Sequence, residues 1–289
     1  MKILVTGCNG QLGTEVRLQS SLHADHQYLF TDVAELDICD EAAVNAYVDQ
    51  NEVDIIINCA AFTAVDKAEE RAPIVAQLNA VAPGYLAQAM ERRGGSVIHV
   101  STDYVFDGTS HVPYREDMST SPRTAYGQTK LDGERAVLSG CSRAVVLRTA
   151  WLYSPYGNNF VKTMLRLGRE RTELGVVFDQ IGTPTSAADL AAAIFQIIDR
   201  GIVPGVYHFT NEGVTSWYDF TLAIHRLAGI RTCCVRPLHT EDFPTPAVRP
   251  HYSVLDKSKI KSTYQISIPW WEDSLAQCIR LLENGGSQC

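Results

Sequence analysis

A tyrosine and a lysine stand four residues apart in the segment Tyr126-Gly127-Gln128-Thr129-Lys130. If this segment is helical, the two side chains lie on one face, one turn apart. A free phenol has a pKa of about 10, and a neighbouring ammonium favours its ionised form. The pair could therefore serve as a general acid for a reacting oxygen, although the same spacing is common on solvated helix faces. Its meaning depends on the elements that position it.

The composition is that of a globular protein with a large core. The chain has 289 residues, of which 45% are hydrophobic and 20% are charged, so we expect one large domain or two interleaved ones. A formal net charge of -8 argues against binding to nucleic acid or to an anionic membrane. There is no apolar run long enough for a transmembrane helix, and the apolar start is too short for a signal peptide. We expect a cytoplasmic protein.

The cysteines are scattered and form no C-x-x-C pair. This distribution favours neither zinc ligation nor a disulfide framework, so we interpret most of them as small core residues. The eight positions are Cys8, Cys39, Cys59, Cys141, Cys233, Cys234, Cys278 and Cys289.

A glycine turn follows the first apolar strand, Ile3 to Thr6, and leads into a helical pattern. Glycines three residues apart at such a turn allow a tight bend and a close approach of the backbone to a pyrophosphate. Asp32 stands 19 residues after Gly13, where the carboxylate for an adenosine ribose is expected. This unit predicts a dinucleotide site whose residues are Gly7, Gly10, Gln11, Leu12, Gly13 and Asp32.

The next predicted strand, Asp54 to Asn58, is apolar almost throughout, as in a parallel sheet buried on both faces. Mostly small residues follow it, and they would leave room for a cofactor at the carboxyl edge of the sheet. The cofactor-binding residues predicted here are Ala60, Ala61, Phe62 and Thr63.

Strands and helices continue to alternate through the first half of the chain. A helix is predicted from about 72 to 93, and the strand Ser96–Val100 opens into Ser101–Gly108. The helix bearing Tyr126 comes next, followed by the strand Ala144–Arg148. This alternation predicts an α/β fold with a Rossmann-type, doubly wound parallel sheet.

After Trp151 the alternation weakens, and short elements are mixed with prolines. We interpret this part as a smaller α/β lobe that binds substrate. The predicted Rossmann domain covers residues 1–150 and about 180–204, and the lobe covers about 151–179 and 205–289.

These motifs resemble the extended short-chain dehydrogenase/reductase family. The generic features are the glycine turn, Asn58 to Ala61, Ser101-Thr102 and the Tyr126/Lys130 pair. Further segments are similar to the signatures of the dTDP-4-dehydrorhamnose reductases within that family, and the likeness covers nearly the whole chain. These segments are Ala64–Glu69, Ser101–Gly108, Arg148–Tyr153 and Asp179–Thr185.

The resemblance implies reduction of the 4-keto group of dTDP-4-dehydro-L-rhamnose by a nicotinamide cofactor, in dTDP-rhamnose biosynthesis. Tyr126 would give a proton to the forming alkoxide, and Lys130 would hold the ribose and lower the pKa of the phenol. Thr102 would bind the substrate oxygen, unless it only caps backbone at its strand end. Asp103 and Tyr104 would contact the substrate, although Asp103 could merely close the turn.

Trp151 would lie along a sugar face, unless it is a core tryptophan. Asn159, Phe160, Arg236 and Arg249 are candidates for the nucleotide end by position and chemistry only.

The resemblance also bears on the cofactor and partners. Asp37 and Ile38 are similar to an adenine-contacting pair, and related reductases accept NADH or NADPH. Asp32 suits a free 2'-hydroxyl, so we expect NADH to be used at least as well as NADPH. Some relatives use magnesium, but no carboxylate cluster in the sequence indicates a metal site. The resemblance also allows a homodimer.

Two other functions fit parts of the pattern. One is a non-catalytic subunit like the β subunit of methionine adenosyltransferase, against which the complete set of Thr102, Tyr126 and Lys130 argues. The other is a different nucleotide-sugar reductase, an epimerase or a dehydratase. A dehydratase would be expected to carry an acid and a base just after the catalytic threonine, whereas Asp103 is followed by Tyr104.

Overall fold

A parallel sheet of six strands forms the centre of the computed structural model, which describes residues 1–285. Its strand order is β10-β5-β4-β3-β1-β2, and two-stranded pairs β11-β8, β12-β7 and β6-β9 complete the strands. The bounds are β1 Lys2–Thr6, β2 Gln27–Thr31, β3 Ile55–Asn58, β4 Ser96–Thr102, β5 Ala144–Thr149, β6 Leu152–Tyr153, β7 Glu173–Val177, β8 Ile181–Gly182, β9 Thr185–Ser186, β10 Gly205–His208, β11 Thr215–Ser216 and β12 Cys234–Leu238.

Helices cover both faces of the sheet, and the predicted doubly wound α/β fold is confirmed. Short 3-10 turns lie at Ser20–Leu22, Asp103–Val105 and Thr240–Asp242. The helices are α1 Gln11–Gln19, α2 Glu41–Asn51, α3 Val65–Ala68, α4 Ala72–Ala76, α5 Ala82–Arg93, α6 Ala125–Gly140, α7 Phe160–Glu170, α8 Ala187–Arg200, α9 Trp217–Leu227, α10 Ser258–Tyr264 and α11 Trp271–Gly285.

The register of the sheet brings the ends of its central strands to one edge. Thr6 at the end of β1 is paired with Asn58 at the end of β3, and Asn58 is paired with His99. β4 continues past His99 to Thr102, further than the predicted end at Val100. In open α/β sheets ligands bind outside the carboxyl ends of the strands, where the strand order reverses. Here that reversal lies between β1 and β3, beside the extended end of β4.

Two apolar cores hold the helical layers on the sheet. On one face α1 and α8 pack over residues such as Val5 and Leu147. On the other face α2, α5 and α6 pack over Leu4, Ile56 and Val146. Residues facing both sides of the same strands are fully buried, which explains why these strands are apolar without alternation.

The helix predicted from about 72 to 93 contains a π turn at Gln77–Val81. Pro83 has no N–H to bond the carbonyl four residues earlier, that of Asn79, so a regular α-helical ladder cannot continue there. The side chain of Asn79 accepts a hydrogen bond from the N–H of Phe62 at 2.8 Å and donates to its carbonyl at 3.0 Å. The π turn thereby fixes the loop that follows β3.

A third apolar cluster forms the smaller lobe. It contains side chains from α7, α9, α11 and β7, including Leu165, Ile224 and Leu275. β7 and β12 pair in parallel at its side. One boundary prediction is wrong, because β10 (Gly205–His208), placed in the lobe by sequence, lies in the main sheet beside β5. The division into two domains otherwise stays a prediction.

Within residues 1–285 the cysteines are free, and no helix there is long and apolar enough to cross a membrane. Cys8, Cys141 and Cys278 are buried, whereas Cys234 is exposed. Cys289 lies outside the described residues.

A buried ion pair joins α6 to the sheet. The guanidinium of Arg148 on β5 donates to both carboxylate oxygens of Glu134, at 2.9 and 2.7 Å. Ser101 at the end of β4 donates to the same carboxylate at 2.5 Å. The side chains of the ion pair are only 5% and 2% exposed, so neither charge has access to bulk water.

We predict that Arg148→Met destabilises the fold by about 3–5 kcal/mol, because Glu134 is left buried without its counter-charge. Chemical denaturation measures the change in the free energy of unfolding. The matched control is Arg166→Met, which breaks the exposed pair with Glu170 and should cost no more than about 1 kcal/mol. Equal small losses in both variants would contradict a structural role for the buried pair.

Candidate active site

A cavity of about 650 Å³ lies at the carboxyl edge of the sheet, between the Rossmann domain and the smaller lobe. Most of the residues predicted from sequence to bind substrate or cofactor meet there. Those lining the cavity are Gly10, Gln11, Leu12, Ala61, Thr63, Thr102, Asp103, Tyr104, Tyr126, Lys130 and Trp151.

The glycine turn leaves no space for side chains at two positions. Gly7 has a φ of 63°, and a Cβ there would lie 2.7 Å from the backbone of Ala60. A Cβ on Gly13 would lie 2.3 Å from the carbonyl oxygen of Gly7. The turn therefore brings the start of α1 close to β1 and β3, with its first N–H groups available to a pyrophosphate. The residues present fit a dinucleotide.

Asp32 is placed at the end of β2 beside this turn. Its carboxylate accepts hydrogen bonds from the N–H groups of Asn9 at 3.2 Å and Val33 at 2.8 Å. It is only partly exposed, and its acceptor oxygens suit a ribose hydroxyl. Asp37 is exposed, whereas the side chain of Ile38 is buried in the core, so a contact of that side chain with adenine stays a prediction.

Asn58 fixes the strand ends beneath the cavity. Its Oδ1 accepts from the hydroxyl of Thr6 at 2.7 Å and from the N–H of Ala60 at 3.2 Å. A backbone N–H can only donate, so the amide nitrogen of Asn58 must face the other way, toward Nδ1 of His99 at 3.0 Å. Nδ1 then carries a lone pair, and the proton of the neutral ring is on Nε2.

Lys130 is buried directly above this ring. Its Nζ donates to the carbonyl of Val100 at 2.7 Å and lies 3.5 Å from Nε2 of His99. Because His99 presents N–H there, the ring does not stabilise the ammonium. Burial lowers the pKa of Lys130 to about 8, against the opposing effect of Glu134. Burial also holds the pKa of His99 well below its usual value, which keeps the ring neutral.

Tyr126 lies one helical turn before Lys130 on α6, 9% exposed and with Tyr104 packed edge-on at 5.6 Å. The expected lowering of its pKa by Lys130 is not found. Burial raises the pKa of Tyr126 to about 12, and the nearby Thr102 hydroxyl acts in the opposite direction. Because burial places this pKa far above 7, the phenol keeps its proton at neutral pH, while the neighbouring ammonium donates to the strand carbonyl of Val100.

Thr102 and Asp103 begin the 3-10 turn after β4. The Thr102 hydroxyl accepts from the N–H of Tyr104 at 3.2 Å and donates to Oδ1 of Asp103 at 3.0 Å. It therefore caps backbone in addition to facing the cavity. Oδ2 of Asp103 is buried and makes no hydrogen bond among residues 1–285. Burial raises the pKa of this carboxyl to about 6, against the opposing effect of the nearby Ser253 hydroxyl, which is likewise buried without a partner in the described residues.

Trp151 has an unusual backbone conformation, with a φ of 48°. Its ring stacks on Trp217 at 3.5 Å, and a Cβ on Gly182 would lie 2.7 Å from that ring. The rings of Phe160 and Trp217 also pack together, with their centroids 4.5 Å apart. These three rings form an aromatic wall of the cavity. Strain in a bulky residue is tolerated only where the surroundings enforce it.

The candidates for the nucleotide end fall in different places. Arg249 lines the cavity, and its guanidinium is held by both oxygens of Asp66, at 3.1 and 2.7 Å. Asn159 donates to Gln11 at 2.9 Å and so connects the lobe to the glycine turn. Arg236 pairs with Glu173 on β7 and is not among the residues that line the cavity, so its predicted role has no support.

Sequence reasoning missed several residues of the site. His99 is part of an apolar strand, and Trp217 begins a helix more than 60 residues after Trp151, so local patterns did not connect either one to the cavity. The one available signal at His99 was a polar residue inside a buried strand. No cluster of three His, Cys, Asp or Glu side chains that could hold a metal occurs in the described part of the chain.

Comparisons with known proteins agree with this geometry. A family model described as RmlD substrate binding domain matches residues 1–284. A dTDP-4-dehydrorhamnose reductase from Aggregatibacter actinomycetemcomitans is 40% identical over 284 residues, covering 95% of this chain and 97% of the relative.

Two solved structures of similar proteins extend the comparison. A dTDP-4-dehydrorhamnose reductase from Clostridium acetobutylicum has a TM-score of 0.94 and 45% identity, covering 98% of this chain and 100% of the other. One from Bacillus anthracis, in complex with NADP, has a TM-score of 0.93 and 36% identity, covering 96% and 98%. The chain therefore belongs to the dTDP-4-dehydrorhamnose reductase family.

Proposed function

We propose that the protein is an NAD(P)H-dependent oxidoreductase that reduces the 4-keto group of dTDP-4-dehydro-L-rhamnose to dTDP-L-rhamnose. The observation that carries this proposal is the shared cavity, in which Tyr126, Lys130 and Thr102 lie between the dinucleotide turn and an aromatic wall. Family membership supplies the substrate class, a nucleotide sugar. The cavity supplies a proton donor and a place for the reacting carbonyl.

When bound, the reduced nicotinamide supplies a hydride. The chain's own residues would orient the carbonyl and provide the proton. Tyr126 keeps its proton because the phenol is buried, and it would give that proton to the alkoxide as it forms. The hydroxyl of Thr102 faces the same cavity and is held by the N–H of Tyr104; it would donate to the same oxygen when substrate binds, giving up its hydrogen bond to Asp103.

Lys130 would contribute positive charge below the reacting oxygen and a donor for the ribose hydroxyls. Two of its three N–H groups are free after the bond to Val100. Its lowered pKa means that the ammonium is present below about pH 8 and is lost as the pH rises through that value.

The remaining cavity residues suit a nucleotide sugar. Oδ2 of Asp103 would accept from a sugar hydroxyl, which would satisfy its missing hydrogen bond. Trp151 would cover one face of the sugar ring, and Arg249 would direct its free N–H groups at the diphosphate. A homodimer and a cytoplasmic location stay predictions.

The alternatives lose support at specific residues. A non-catalytic subunit would not need a proton donor, a lysine and a threonine in one cavity. A dehydratase would need a second acid or base after Asp103, where Tyr104 packs on Tyr126 instead.

The direct test is to mix the protein and NADH or NADPH with freshly generated dTDP-4-dehydro-L-rhamnose and to monitor oxidation of the cofactor by its absorbance. We expect stoichiometric oxidation and dTDP-L-rhamnose as the product. Protein that binds the cofactor but leaves it reduced in the presence of this sugar would refute the proposed substrate.

We predict that Tyr126→Phe lowers kcat by about 10²–10⁴-fold, because the general acid is removed. Cofactor affinity should change little, since the lost hydroxyl faces the reacting oxygen. Steady-state kinetics and cofactor titration measure the two effects. The control is Tyr85→Phe, a partly buried tyrosine on α5 that packs against the core, which should retain wild-type kcat. Near wild-type turnover by a folded, cofactor-binding Tyr126→Phe would exclude the phenol as proton donor.

We predict that kcat of the wild type falls as pH rises through about 8, and that Lys130→Met removes this fall and weakens cofactor binding. The physical reason is that this fall reports loss of the Lys130 proton. Lys259→Met is the matched control, because that amine also donates to a backbone carbonyl, of Val206, but outside the cavity. A basic limb that stays near pH 8 in the Lys130→Met variant would assign it to another group.

A further inference from the structure

Arg17 on α1 extends back over the glycine turn. Its Nη2 contacts Oδ1 of Asn9 at 3.4 Å and Sγ of Cys8 at 2.6 Å. Its guanidinium carbon lies 5.1 Å from the ring centroid of Phe30 on β2, so the aromatic ring supports the planar group. The side chain is exposed, and no carboxylate oxygen within the described residues lies within 4.0 Å of it. It is a cation beside the dinucleotide turn without a counter-charge in contact.

Asn9 lies between Arg17 and Asp32. Its backbone N–H donates to Oδ2 of Asp32 at 3.2 Å, and its side-chain oxygen contacts Arg17. The carboxylate of Asp32, at the end of β2, and the guanidinium therefore flank a single residue of the glycine turn. This is the place where the adenosine ribose of a bound dinucleotide is expected.

We propose that Arg17 forms a subsite for the 2'-phosphate of NADP(H), next to the carboxylate that accepts the free 2'-hydroxyl of NAD(H). The proposal rests on the proposed use of a nicotinamide dinucleotide. Arginine presents N–H groups in a fork that matches phosphate oxygens, and Nη1 and Nε of Arg17 make no contact with Asn9 or Cys8. The contact with the face of Phe30 holds the guanidinium beside the turn.

The two charges oppose each other in selecting the cofactor. Asp32 attracts a 2'-hydroxyl and repels a 2'-phosphate, whereas Arg17 attracts the phosphate. Within residues 1–285 neither charge is cancelled by an ion pair, so the protein should bind both dinucleotides with comparable affinity. Asp32 alone predicts a preference for NADH. The guanidinium of Arg17 adds the positive charge that the 2'-phosphate of NADPH requires.

The test measures binding of NADPH and NADH, without substrate, by their fluorescence. We expect Arg17→Gln to shift the ratio of the two dissociation constants by about tenfold against NADPH, equivalent to about 1.4 kcal/mol. Arg17→Lys, which keeps the charge, should shift it less, and Asp32→Asn should shift it in favour of NADPH. Arg135→Gln, an exposed arginine on the outer face of α6, is the control and should leave the ratio unchanged.

Two fragments of the dinucleotides test the contribution of the 2'-phosphate separately. Adenosine 2',5'-bisphosphate should lose affinity for Arg17→Gln, and its binding to wild type should weaken with salt more steeply than that of adenosine 5'-monophosphate. An unchanged ratio in Arg17→Gln, or an equal loss for both dinucleotides, overturns the subsite while leaving the proposed function in place. A protein that binds neither dinucleotide overturns both.

Discussion

The arrangement of the active site depends on one buried amide, that of Asn58. It joins the end of β1 through Thr6, the loop after β3 through Ala60 and the middle of β4 through His99. The contacts with Thr6 and His99 lie away from water, where a lost partner would leave a buried polar group unsatisfied. The strand ends are consequently held in one register, and the cavity floor has one arrangement of donors and acceptors.

That arrangement determines the charge available to the reaction. The proton on Nε2 of His99 faces Lys130, so the ring gives the ammonium no acceptor. The carbonyl of Val100 and the field of Glu134 stabilise the ammonium against burial. Glu134 is itself held by Arg148, and the helix that carries Tyr126 is thereby fixed to the sheet by charge as well as by apolar packing.

Much of the fold was predictable because its signals are local. The apolar strands, the glycine turn and the position of Asp32 can be predicted from neighbouring residues in the sequence. In the structure the glycine turn and Asp32 lie at the carboxyl edge of the sheet. β10 was assigned to the wrong domain because a strand of four residues after Pro204 belongs to the main sheet only through its pairing with β5, about 60 residues earlier in the chain. Local sequence contains no information about such a partner.

The site was predicted less completely, for the same reason. Tyr126 and Lys130 share a helix, so their spacing was visible, but the pKa of the phenol depends on burial and on where the lysine amine is held. His99 is brought beneath Lys130 by sheet register, and Trp217 is brought to the cavity by lobe packing; a local motif contains neither kind of information. Arg17 lies in a helix that the sequence did predict, but its position over Asn9 required the folded turn.

The central claim is that one cavity brings a hydride donor and the Tyr126 proton to the same carbonyl. The most direct measurement uses NADPH deuterated at both C4 positions, with dTDP-4-dehydro-L-rhamnose in ordinary water and mass and NMR analysis of the product. We expect one deuterium per product molecule, located at C4 of the sugar, with one cofactor oxidised for each. A product without deuterium at C4, or conversion of the sugar without net oxidation of the cofactor, would contradict it.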